Sequence, residues 1–68
     1  MSNVKHTPPT IEGARLLQNR VALLRESNRH AAADIAENDL LRYALDAYRE
    51  DVDDAEAIAR IAYPEAFA

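Results

Sequence analysis

Arg20 has the most unusual setting in the sequence. At helical spacing it lies among Leu16, Leu17, Leu23 and Leu24, inside a wide apolar face. A guanidinium there needs a partner, because an unpaired charge taken out of water is very costly. One solution is structural, an ion pair with Asp51, Asp54 or Glu56 of a neighbouring helix. The other is functional: the planar fork of Arg20 holds a carboxylate or phosphate of a ligand or partner. A second concentration of charge is the run Glu50-Asp51-Val52-Asp53-Asp54-Ala55-Glu56. It reads first as a solvated helix face. Alternatively its carboxylates, Asp51, Asp53 and Asp54 foremost, imitate a nucleic-acid backbone and occupy a basic groove of another protein. It lacks the alternating oxygen ligands and central glycine of a calcium loop.

Little else in the chain suggests chemistry. The only serines, Ser2 and Ser27, have no recognisable base and orienter beside them. There is no glycine-rich phosphate loop and no metal triad. His6 and His30, without cysteine and without an i, i+4 histidine pair, read as surface residues rather than metal ligands. No enzymatic activity, metal or cofactor is expected. Arg15, Arg25 and Arg29 offer a basic strip to nucleic acid, but the acidic second half and a pI near 4.9 oppose that association.

The elements that must position these residues follow from two apolar runs in steps of three and four. Ala14, Leu17, Val21, Leu24, Asn28, Ala31 and Ile35 form the first; Leu41, Leu45, Tyr48, Val52, Ala55, Ala59 and Ala62 form the second. Steps of this size keep residues on one side of an α-helix. The expected fold is therefore all-α: an antiparallel two-helix hairpin with helices over about 11–36 and 40–63. Thr10 is the expected N-cap, with Glu12 in the first turn; Thr7 with Pro8 at the first helical position is the alternative start. Glu37-Asn38-Asp39 makes the expected turn, and Pro64 ends the second helix. Two alternatives compete: Ser27–His30 as a loop splitting the first helix, and a break at Asp51–Asp54 leaving a separate helix 54–63. The unbroken apolar phase through Asn28 favours one long first helix. Residues 1–10 form an arm, 11–64 the domain and 65–68 a tail.

Folding at Asn38 pairs Ile35 with Leu41, Leu24 with Val52 and Leu17 with Ala59. Asn28 then reaches the Tyr48 hydroxyl, a polar contact that fixes register. Each helix carries a second apolar strip: Leu16 and Leu23 on the first, and Leu40, Ala44, Ala47 and Ile58 on the second. Contiguous apolar surface of this kind marks an interface. A homodimer forming a four-helix bundle, or a larger helical assembly, is expected.

Composition sets the outer bounds. The 68 residues make one small domain near the lower limit for folding alone, and no disulfide supplements the core. Residues 1–30 carry a net charge of +3 and residues 31–68 one of −7, so a basic helix lies beside an acidic one. There is no membrane-length apolar stretch and no signal-peptide pattern, which points to a cytoplasmic protein.

Two resemblances follow. The two-helix, dimer-forming architecture is similar to that of small plasmid copy-control RNA-binding proteins, without a matching motif. The segment His6-Thr7-Pro8-Pro9, leading into a helix with Leu16 and Arg20, resembles the start of phage helical-hairpin sponges that sequester cyclic oligonucleotide immune signals. That resemblance covers barely a fifth of the chain. It implies a small helical oligomer with Arg20 and the proline-rich arm near a phosphate ligand. The residues themselves point to a non-enzymatic, oligomeric helical binding protein; by analogy with small chains that serve phages or mobile elements as inhibitors, it is expected to act on a host (defence) protein through its acidic second helix and Tyr43. Sequestration of a small anionic nucleotide on arginines at an oligomer seam is the alternative, and an RNA-binding hairpin dimer the third.

Overall fold

The computed structural model describes residues 7–67. Residues 1–6 of the expected arm, with His6, lie outside them. The described residues are all helical in class and contain no strand: α1 over Ile11–Glu26, α2 over His30–Arg49 and α3 over Ala55–Ala62, followed by a 3-10 turn over Pro64–Phe67. α1 starts where the sequence places it. The Thr10 side chain accepts a hydrogen bond from the Gly13 N–H at 3.0 Å, which satisfies one of the free donors of the first turn. Pro64 follows directly on the C-cap of α3, as expected.

The expected break at Glu37–Asp39 is corrected. Those residues lie in the middle of α2, and the chain turns at Ser27–Arg29 instead. Asn28 takes the left-handed conformation, with φ 59°. The Arg29 N–H reaches the Leu24 carbonyl at 2.8 Å, and the Asn28 N–H reaches that of Arg25 at 3.0 Å. This crossed pair is the Schellman motif, which uses the carbonyls that a helix end leaves without partners. The same device ends α2. Asp51 has φ 54°, the Val52 N–H reaches the Ala47 carbonyl at 3.0 Å, and that of Asp51 reaches Tyr48 at 3.2 Å. The alternative breaks at Ser27–His30 and Asp51–Asp54 are thus the observed ones.

Moving the turn from Asn38 to Asn28 changes every pairing. Gly13 lies opposite Tyr43, whose hydroxyl accepts the Thr10 N–H at 2.9 Å. An added Cβ on Gly13 would fall 2.9 Å from Tyr43 Cζ and closer still to the hydroxyl oxygen. The only glycine in the chain therefore permits the close approach of α1 and α2. Near the turn, Arg25 holds Glu37 at 2.9 Å and Asp34 at 3.3 Å. The hydrogen bond to Glu37, ahead of that to Asp34, raises the Arg25 guanidinium above its ordinary pKa. α3 folds back over both longer helices, where Gln18 Nε2 donates to the Ile61 carbonyl and the Tyr63 hydroxyl to that of Leu41.

The two apolar strips of α2 exchange roles. The expected seam residues Leu45 and Tyr48 are each 53% exposed, whereas Leu40, Ala44, Ala47 and Ile58 from the second strip are buried. Ala33, Ala36, Leu40, Ala44 and Ala47, again in steps of three and four, are the inward line of α2. Ala14, Leu40, Ala44, Ala47, Ala55 and Ile58 form the core, with Ile11, Leu17, Tyr43, Val52 and Ile61 packed around it. No polar side chain is buried among the described residues.

Candidate functional site

Alanine dominates the interior, while several large apolar side chains lie outside. Among the described residues, seven of the ten buried hydrophobic ones are alanines, and Ile58 is the only large side chain with under 2% exposure. Leu16, Leu23 and Ile35, by contrast, are 63–66% exposed. At 100° per residue, Leu16, Arg20 and Leu23 occupy the arc of α1 opposite the buried Ala14 and Val21. Beside them α2 presents Ala32, Ile35 and Asp39. Together these residues line a shallow groove along the α1/α2 pair: Leu16, Leu23 and Leu24 on one wall, Ala32, Ile35 and Ala36 on the other.

Arg20 and Arg29 both line this groove. The expectation that Arg20 is sequestered in the apolar face is corrected: it is exposed, because the buried arc of α1 runs through Ala14 and Val21. Among the described residues it forms no ion pair, whereas Arg25, Arg49 and Arg60 each do. Arg29, in the sequence only one of three arginines on a basic strip, is the second cation of the groove. Its signal is its position: directly after an Asn that can adopt the left-handed conformation, it starts the next helix beside the end of the first.

The other expected site residues lie elsewhere. Arg15 is exposed on α1. Tyr48, with Arg42, Leu45, Asp46 and Arg49, lines a separate depression at the C-terminal end of α2. Asp51, Asp53 and Asp54 are exposed in the loop between α2 and α3. This loop is at the opposite end of α2 from Arg29, so Arg20 and the acidic run do not meet within one chain. The expected bond between Asn28 and Tyr48 is absent for the same reason. Tyr43, expected as an exposed contact residue, is half-buried against the core and bound to Thr10.

Among the described residues no group of three or more His, Cys, Asp or Glu side chains converges on a metal-sized site. No described helix is long and apolar enough to cross a membrane. Comparison of the chain with protein-family models, with curated proteins and with solved structures gave no match.

Proposed function

We propose that this chain is a non-catalytic helical binding protein that works as a homodimer, of the kind with which phages and mobile elements block a host protein. One observation carries the reading: alanines fill the interior while Leu16, Leu23, Ile35 and Leu45 are more than half exposed. A chain with so small a core gains more by burying its large side chains against another molecule than by leaving them in water. Two α1/α2 pairs packed face to face make a four-helix bundle, with α3 on each outer side. The exposed carboxylates Asp53, Asp54 and Glu56 then remain outside for a basic surface of the target. Sedimentation velocity tests the assembly and affinity capture from the host tests the target. Asp53→Ala with Asp54→Ala abolishes capture and leaves the dimer intact; a monomeric chain, or capture indifferent to both carboxylates, refutes the reading.

A second reading is favoured by Arg20 and Arg29, which share one apolar groove and form no ion pair among the described residues. In it, an anionic nucleotide is sequestered at the dimer seam, its phosphates on the arginines and its base on the apolar walls. Native mass spectrometry separates the two. Retained mass of a few hundred daltons per site, lost in Arg20→Ala, supports sequestration, and a bare dimer supports a protein target.

A further inference from the structure

We draw no further inference here: the strongest candidate, the shallow groove between α1 and α2 in which Arg20 and Arg29 lie among Leu16, Leu23 and Ile35, belongs to the site already described, and nothing in the structure shows what covers it.

Discussion

Gly13→Ala sets two opposed effects against each other at one atom. Gly13 is the third residue of α1, and in a helix alanine is favoured over glycine by about 0.5–1 kcal/mol. From propensity alone the substitution stabilises. The structure reverses the sign. The new Cβ meets Tyr43 Cζ at 2.9 Å and Thr10 Oγ1 at 3.2 Å, with the Tyr43 oxygen nearer than either. Carbon atoms prefer a separation of about 3.5–4.0 Å, so the ring must retreat by more than a few tenths of an ångström. Its far end is rigidly attached and its body packs against the core, which makes this an overpacking event costing about 1–3 kcal/mol. Retreat also breaks the 2.9 Å bond from the Thr10 N–H, worth about 0.5–1.5 kcal/mol. The net expectation is a loss of about 1–3 kcal/mol, or a fall in melting midpoint of at least about 4 °C for a domain of this size.

Tyr43→Phe supplies the control. Alone it costs about 1 kcal/mol, the worth of the hydrogen bond. It also removes the nearest obstructing atom, so Gly13→Ala in the Tyr43→Phe background costs about 1 kcal/mol less than in the wild type. Urea unfolding followed by circular dichroism, at one fixed protein concentration, measures all four corners of the cycle. A Gly13→Ala variant more stable than wild type, or two changes that add within about 0.5 kcal/mol, refutes the assignment of Gly13 to close helix approach.

Four further outcomes are expected. Asn28→Gly and Asp51→Gly each stabilise by up to about 1 kcal/mol, because both native residues hold positive φ where glycine carries no Cβ penalty; Asn28→Val destabilises by at least about 1 kcal/mol in the same unfolding assay. Ile58→Ala empties the one large, fully buried position among the described residues and costs about 2–5 kcal/mol, enough to abolish the cooperative melt. Leu23→Asp, at a 63% exposed position, preserves helicity but shifts sedimentation from dimer to monomer. In the wild type the melting midpoint rises with protein concentration, as linkage of folding to association requires. A midpoint unchanged by hundredfold dilution counts against the dimer.

The features that the sequence makes legible are those with a local chemical cause. Thr10 announces the start of α1 through its side-chain oxygen, and Pro64 announces the end of α3 through its missing N–H. The interior breaks are harder because neither uses glycine. Asn28 and Asp51 fill the left-handed position that glycine takes at many helix ends, and both residue types are equally at home on a solvated helix face. The apolar line through Leu24, Asn28, Ala31 and Ile35 crosses a three-residue turn, and its apparent continuity comes from exposed residues of α2. Alanine adds to the ambiguity, since it suits either face of a helix and here fills the core. For the site, Arg20 stands out in the sequence by its leucine neighbours. Its companion Arg29 does not, because their proximity depends on the turn at Asn28.

The same choice of alanine for the interior connects fold and function. Small side chains let α1, α2 and α3 approach closely without buried polar groups, but each contributes little apolar area. Fully burying a Leu or Ile stabilises by about 1.5–3 kcal/mol. Leu16, Leu23, Ile35 and Leu45 are on average more than half exposed, so burying the remainder in an interface is worth on the order of 4–7 kcal/mol per chain before ordering costs. A domain this small draws about 3–5 kcal/mol from its own core. The uncovered face therefore has as much to offer as the interior. In the proposed dimer, assembly is not a late addition to a finished fold; the burial that completes the helical layers is the burial that joins two copies, and any target is met by what that union leaves outside.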